Sequence, residues 1–97
     1  MRSRYILCYD IRDDSRLRRT AKVAERWGNR LQYSVFVCDL TAVERARLES
    51  ELRAVVDTTI DMTFMIEIGA PGRSSERRFH WVTPRIALPD PSNPTIV

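Results

Sequence analysis

Three short apolar runs in this sequence, YILCY, VFVC and FMI, lack the alternation of apolar and polar side chains expected of a sheet with one solvated face. Because successive side chains of a strand point to opposite sides, Tyr5, Leu7 and Tyr9 share one face of the first predicted strand. Ile6 and Cys8 share the other face. Both faces of the predicted sheet are therefore apolar, and the fold must cover both.

Helix signals separate these strands. Asp13 or Asp14 is placed to cap a first helix that ends before Gly28, and the Thr41-x-x-Glu44 sequence is a capping box that opens a second. The predicted elements are, in order, a strand over 4–10, a helix to about Trp27, an extended segment over 31–40 with a break at Tyr33–Ser34, a helix from Thr41 to Val56 or Asp57, a strand over 58–68, a loop over 69–78 and an edge strand over 79–86.

Apolar residues at helical spacing predict which side of each helix faces the core. They are Leu17, Ala21, Ala24 and Trp27 in the first helix, and Val43, Leu48, Leu52 and Val55 in the second. The alternation of strands and helices is typical of an α+β ferredoxin-like sandwich, an antiparallel sheet with two helices on one face. Because the helices cover only one face, we expect the other face to pack against a second copy, giving a homodimer that joins through its sheets.

The chain is predicted to form one domain over residues 1–83, followed by a Pro-rich extended tail over 84–97 that is ordered only where it docks on another surface. No apolar run approaches the roughly 20 residues that span a bilayer, so we expect no membrane partner. The basic start runs directly into a charged segment and does not resemble a signal peptide. A cytoplasmic location is therefore the default expectation.

Cysteine and histidine offer little chemistry in this sequence. Cys8 and Cys38 lie inside apolar runs without metal-ligand spacing, which favours buried free thiols. His80 is the single histidine, so a His-rich metal site is excluded. Trp81 beside it either stacks on a nucleobase or packs within the fold.

Positive charge in this chain comes almost entirely from arginine. The formal net charge is +3, and Lys22 is the only lysine. Arginine binds phosphate through two parallel hydrogen bonds and stacks on bases, which suits nucleic acid. A GC-rich genome would also favour arginine over lysine, so both explanations stay open.

Asp10 ends the first predicted strand, where the chain passes from the core to solvent. A carboxylate there suits a hard cation such as Mg²⁺, which prefers oxygen ligands and keeps several waters. In a two-fold dimer, Asp10 and its symmetry mate can share one such ion across the interface and support phosphodiester cleavage. The alternative is that Asp10 only forms the turn after the strand, and Asp13 and Asp14 are interpreted as helix caps.

Three arginines flank the same end of the predicted fold and are candidates for phosphate contacts: Arg16, Arg19 and Arg30. As isolated charges they would be an ordinary solvated surface. Ser34 is placed to hydrogen-bond a carboxylate or a backbone turn, and Phe36 is a core or interface residue.

The combination of YDIRDD, an arginine-rich helix, RLQYSVFVCDLT and a second amphipathic helix resembles the small CRISPR-associated protein of the adaptation module, Cas2. The resemblance covers residues 4 to about 68. It implies a ferredoxin-like protomer, a homodimer joined through the sheets, and an Mg²⁺-binding catalytic aspartate, here Asp10. It also implies that the C-terminal tail crosses to the sheet of the partner subunit. Tyr9, Arg19, Arg30, Ser34 and Phe36 match other family positions linked to activity or its support.

The resemblance implies two roles. In one, the dimer bridges subunits of the CRISPR integrase and holds double-stranded prespacer DNA, the fragment that becomes a new spacer. In the other, it cleaves RNA or DNA with Mg²⁺, with single-stranded RNA as a candidate substrate. The alternatives are a stand-alone toxin-type endoribonuclease of the same fold and a nucleic-acid-binding module without catalysis.

Overall fold

The computed structural model describes residues 1–89. Its elements are β1 (Ser3–Asp10), α1 (Asp14–Trp27), β2 (Asn29–Gln32), β3 (Val35–Leu40), α2 (Ala42–Val55), β4 (Met62–Gly69) and a short α3 (Arg73–Glu76). Residues 90–97 lie outside the described residues, and the predicted docking of the end of the tail on a partner lies there too. None of the helices in the described part of the chain is long and apolar enough to cross a membrane.

The four strands form one antiparallel sheet in the order β2-β3-β1-β4. Strands β2 and β3 are joined through the turn at Tyr33–Ser34, so the predicted break in the extended segment is confirmed. The two long helices contact each other and the sheet. The predicted α+β ferredoxin-like sandwich is confirmed.

The core lies between the helices and one face of the sheet, which we call the helix face. Tyr5, Leu7 and Tyr9 are all at most 8% exposed on this face, which confirms the predicted alternation of β1. The register pairs Leu7 with Phe36 and Tyr5 with Cys38, so β3 contributes to the same core. Other members of the core are Val23, Ala24, Leu40, Leu48 and Leu52.

The helix termini follow the predicted caps. The Asp13 carboxylate accepts a hydrogen bond from the Arg16 backbone N–H, and Thr41 and Glu44 form a complete capping box. Gly28 ends α1 with an extended backbone at φ −158°, so its role is close packing and not a left-handed turn. A Cβ at position 28 would lie 2.5 Å from the Cys38 thiol sulfur.

One member of the predicted α2 stripe was placed wrongly. Val43 is 63% exposed, because it lies five positions before Leu48 and that spacing turns it about 140° away from the stripe. In α1 the predicted stripe is confirmed, since Ala24 is buried and Leu17 and Trp27 pack against the core. Thr20 and Val23 are buried beside it.

Two predicted strand boundaries were also wrong. Strand β4 begins at Met62 and not at residue 58, because residues 58–60 form a turn in which Asp57 accepts hydrogen bonds from Thr59. Residues 79–86 form no strand, and the sheet of the described residues has four. Pro84 lacks the N–H that pairing would use, and the segment bends instead.

The first part of the predicted tail lies on the chain's own sheet. Ala87, Leu88 and Pro89 line a groove with residues of β2 and with Val37 of β3, which is 1% exposed. Beneath them Arg4 is fully buried. Its guanidinium donates two hydrogen bonds to the Asp39 carboxylate, at 2.7 and 2.8 Å, and one to the Pro89 carbonyl at 2.9 Å.

Candidate metal and nucleic-acid site

Asp10 is the last residue of β1 and is exposed. It pairs with Met62 of β4. Its side chain lies on the side of the sheet away from the helices, because alternation places it with Ile6 and Cys8. Within residues 1–89 its carboxylate forms no hydrogen bond or ion pair with another residue, so its oxygens are free for a ligand from outside the chain.

Residues 87–89 cover the side of the sheet that carries Asp10 over Arg4 and Val37. The apolar remainder of that side, along β4 and the Asp10 end of β1, is what we call the open face. In β4 the open face consists of Met62, Phe64 and Ile66, which are 61%, 45% and 52% exposed. The register places Phe64 opposite Cys8 and Ile66 opposite Ile6. An exposed apolar strip of this kind on a small protein indicates an interaction surface.

A second group of predicted residues meets on the other side of the same sheet end. Tyr9 and Phe36 stack with ring centres 6.2 Å apart, and the Arg30 guanidinium lies 5.1 Å from the centre of the Phe36 ring and 5.7 Å from that of Tyr33. The Tyr9 hydroxyl donates to the Tyr33 carbonyl at 3.3 Å, and the Tyr9 backbone N–H donates to the Ser34 carbonyl at 3.2 Å. We call these five residues the Tyr9 cluster.

The Tyr9 cluster fixes the end of β1 next to Asp10. Burial raises the pKa of the Tyr9 hydroxyl above its usual value, and the nearby Arg30 charge partly opposes that shift. The tyrosine is therefore neutral at physiological pH and acts as a hydrogen-bond donor to the turn. Arg30 itself is exposed and pairs with Glu25 at 3.4 Å.

Arg16 is held by a carboxylate from another part of the chain. Its guanidinium donates to Asp61 at 2.7 and 3.1 Å, and the Asp61 carboxylate also accepts from the Asp57 backbone N–H. The hydrogen bond from Arg16 is the main reason that the pKa of Asp61 lies below its usual value. This pair fixes the start of α1 to the turn before β4, and the predicted phosphate contact of Arg16 stays a prediction.

Arg19 lies apart from the other predicted residues. It lines a shallow surface groove between α1 and α2, together with Lys22 and Arg26. Within the described residues it has no ion-pair partner, which leaves its charge available to an anion.

Within the described residues, no three His, Cys, Asp or Glu side chains come together as a metal site. Asp13 and Asp14 are the cap and first-turn acid of α1, as predicted. A metal held by this chain would therefore depend on Asp10, on water and on ligands from another molecule.

A sequence profile of the family described as CRISPR associated protein Cas2 matches residues 1–75. The chain belongs to the Cas2 family. Among curated relatives, a CRISPR-associated endoribonuclease Cas2 of Thermodesulfovibrio yellowstonii is 39% identical over 61 residues, covering 63% of this chain and 67% of the relative. A Cas2 endoribonuclease of Thermus thermophilus is 41% identical over 63 residues, covering 64% and 67%.

The crystal structure of Streptococcus pyogenes Cas2 is similar in fold, with a TM-score of 0.68 and 26% identity, covering 82% of this chain and 99% of that one. The alignments with the first curated relatives span only 48% to 67% of those relatives' own lengths. The Cas2 profile also stops before the segment that follows α3, so residues 76–89 lie outside the matched part of the family.

Sequence reasoning missed two ion pairs, one at the start of α1 and one at the end of β1 away from Asp10. Nothing in the sequence links Arg16 to Asp61, because the contact depends on how α1 meets the turn before β4. The pair of Arg4 and Asp39 did leave a signal, since each interrupts an apolar strand with a charge of opposite sign. A buried charge in a strand requires such a partner.

Proposed function

We propose that the chain acts in CRISPR adaptation as a homodimer that bridges integrase subunits and holds prespacer DNA, with Mg²⁺-dependent phosphodiester cleavage at Asp10 as a second activity. The observation that carries the proposal is the position of Asp10 on the open face of a Cas2-family chain. A two-fold axis that passes near the Asp10 end of the open face would bring the two carboxylates together.

The open face supports a two-fold interface. Phe64 and Ile66 are about half exposed and lie beside the half-buried Ile6 and Cys8, so association with a second open face removes all four from water. A two-fold interface uses the same patch on both subunits, which suits a strip that is apolar along β1 and β4. Asp10 lies at one end of this strip and stays in contact with solvent.

The residues present fit an Mg²⁺ ion that keeps most of its waters. Asp10 offers oxygen ligands without a competing partner in the described chain, and two copies would supply one carboxylate each. When bound, the ion would supply Lewis-acid stabilisation of negative charge on a phosphate. The Tyr9 cluster holds the strand end that carries Asp10, so the carboxylate is presented from a fixed backbone.

Two exposed arginines support nucleic-acid binding, one in the Tyr9 cluster and one in the groove between α1 and α2. Arg30 and Arg19 offer guanidinium groups to phosphates, and the chain carries a net charge of +3. Such contacts position DNA without reading its sequence, as expected for a protein that handles fragments of any sequence. Single-stranded RNA carries the same phosphates and is the alternative substrate.

The test combines two assays on the full chain. In the first, the cognate integrase is captured on immobilised protein with and without a short DNA duplex, and we expect capture that the duplex strengthens. In the second assay, labelled RNA and DNA are incubated with Mg²⁺ and either the unmodified chain or the Asp10→Asn variant. We expect cleavage to disappear in the variant while the dimer survives.

The matched control is Asp14→Asn, an acidic residue in the first turn of α1 that is exposed and does not lie on the open face. It should cleave as the unmodified chain does. Cleavage that persists in Asp10→Asn would exclude Asp10 as the metal ligand, and failure to capture the integrase would exclude the bridging role.

A second candidate function is a stand-alone toxin-type endoribonuclease, which shares the endoribonuclease activity for which the curated relatives are named. It predicts Asp10-dependent cleavage of RNA without integrase capture. A binding module without catalysis predicts instead that Asp10→Asn changes neither nucleic-acid binding nor integrase capture. The two assays therefore separate the three readings.

A further inference from the structure

The chain forms a second arginine-rich site after β4, on the segment that follows α3. Phe79 and Trp81 stack there with ring centres 5.4 Å apart and ring planes within 10° of parallel. Both rings are half-buried. They form one wall of a pocket of about 390 Å³, which we call the Trp81 pocket, and its other lining residues are Arg73, Glu76, Arg77, Arg85 and Leu88.

The charge of the Trp81 pocket favours an anionic ligand. Among the lining residues within 1–89, Glu76 is the one acidic residue, and Arg85 lies 3.6 Å from its carboxylate. Arg73 and Arg77 have no ion-pair partner within residues 1–89, so their guanidinium groups are available. Guanidinium groups match the paired oxygens of a phosphate better than an ammonium does.

We propose that the Trp81 pocket binds one unpaired nucleotide of a single-stranded nucleic acid, with the base stacked on the Phe79–Trp81 pair and the phosphate on Arg77 and Arg73. The proposal rests on the proposed function in that its ligand is nucleic acid. Every base has a flat aromatic face, and aromatic side chains next to arginines are the usual platform for single strands. In a duplex those faces are already covered by neighbouring base pairs, so the site selects unpaired nucleotides.

The Trp81 pocket lies largely beyond the part of the chain that the Cas2 profile matches. Phe79, Trp81 and Arg85 lie beyond residue 75, where the match to the Cas2 profile ends. The pocket is also separate from the open face and from the Tyr9 cluster, since it shares no residue with either. Its volume lies within the range of about 300–1,000 Å³ typical of small-ligand sites.

The test uses tryptophan emission as the reporter. The chain contains two tryptophans, Trp27 and Trp81, so Trp27→Phe leaves Trp81 as the only indole. In this background, a single-stranded oligothymidylate, an oligouridylate and a blunt duplex of the same length are titrated at fixed salt. We expect both single strands to quench the emission and the duplex to leave it unchanged.

Affinities are then compared in variants that keep Trp27. Trp81→Ala should weaken binding of the single strands by about 5- to 150-fold, the range found for loss of one stacked base. Trp81→Phe keeps an aromatic face and should retain most of the affinity, which also shows that the segment has folded. Arg77→Ala should lower the slope of log affinity against log salt by about 0.7.

The matched control is Val82→Ala, a fully exposed neighbour that does not line the pocket, and it should bind as the unmodified chain does. The inference would be overturned if Trp81→Ala and Val82→Ala bound the single strands with equal affinity. It would also be overturned if the single strands left the emission of Trp81 in the Trp27→Phe background unquenched.

The outcomes also separate this inference from the proposed function. If the duplex binds and the single strands leave Trp81 unaffected, the Trp81 pocket is not a nucleotide site and the duplex-binding proposal stands. If single strands bind through Trp81 and the duplex does not bind, the pocket is correct and the prespacer proposal fails. If none of the three binds, both are wrong.

Discussion

Replacing Asp39 by asparagine removes the carboxylate that neutralises a fully buried arginine. Arg4 is 0% exposed, and its Nε and one Nη donate to the two oxygens of Asp39 at 2.7 and 2.8 Å. The same Nη also reaches the Pro89 carbonyl, and the other Nη is buried without a hydrogen-bond partner in the described residues. Asparagine keeps the shape of the side chain and leaves the guanidinium charge in a site that water does not reach.

Breaking a buried ion pair by removing one partner typically costs about 3–5 kcal/mol. Asp39 is 23% exposed, so water already screens part of the pair and we expect the lower value, about 3 kcal/mol. For a domain of this size each kcal/mol lowers the melting temperature by about 4–8 °C, so Asp39→Asn should lower it by roughly 12–24 °C.

The assays are urea unfolding for the free energy and heating for the melting temperature, both followed by far-ultraviolet circular dichroism. They use one fixed protein concentration because dimerisation also contributes to stability. Arg4→Met combined with Asp39→Asn should recover most of the loss, since no charge is then left buried. The control is Glu25→Gln, which breaks the exposed pair with Arg30 and should cost at most about 1 kcal/mol. If Asp39→Asn also lowers the free energy of unfolding by at most about 1 kcal/mol, Arg4 is in contact with water and residues 87–89 do not cover it.

Three further outcomes follow from the packing. Gly28→Ala should cost about 1–3 kcal/mol in thermal unfolding, because the new methyl group meets Cys38 at 2.5 Å. The hydrogen bond from Arg16 lowers the pKa of Asp61 in the folded chain below its usual 3.8. The ion pair therefore stabilises the folded state fully above pH 3.8, and this stabilisation is lost as the pH falls through the lowered pKa. The difference in free energy of unfolding between Asp61→Asn and the unmodified chain should therefore be constant near neutral pH and shrink below about pH 4. A difference that stays constant at all pH would contradict the ion pair between Arg16 and Asp61. In maleimide labelling Cys38 should not react, since burial raises its pKa to about 12. Cys8 lies on the open face and should react only when the chain is monomeric. Reaction of Cys38 in the native state would contradict its burial.

Local sequence rules determined most of the fold. The caps at Asp13 and Thr41 and the break at Tyr33–Ser34 each depend on side chains a few residues apart, and each was predicted correctly. The lack of alternation in the strands also predicted the apolar open face, on which Phe64 is exposed. Val43 was misplaced because its spacing from the next apolar residue does not match the helical period.

Features that depend on distant parts of the chain were not predictable in this way. The pairing of Arg16 with Asp61 joins residues 45 positions apart and depends on the packing of a helix against a turn. The Trp81 pocket is formed by residues of α3 and of an irregular segment that was predicted to be a strand. An irregular segment has no period that would place its side chains, so the stacking of Phe79 on Trp81 had no sequence signal.

Association of two chains through the open face is tested most directly by the molecular mass in solution. The mass is measured by size-exclusion chromatography with light scattering at micromolar concentration. We expect a dimer for the unmodified chain and a monomer for Phe64→Glu, because this substitution places a charge in the open face. Val43→Glu makes the same change on the exposed side of α2 and should leave the dimer intact. A monomeric unmodified chain, or a Phe64→Glu variant that remains a dimer, would contradict association through the face that carries Asp10.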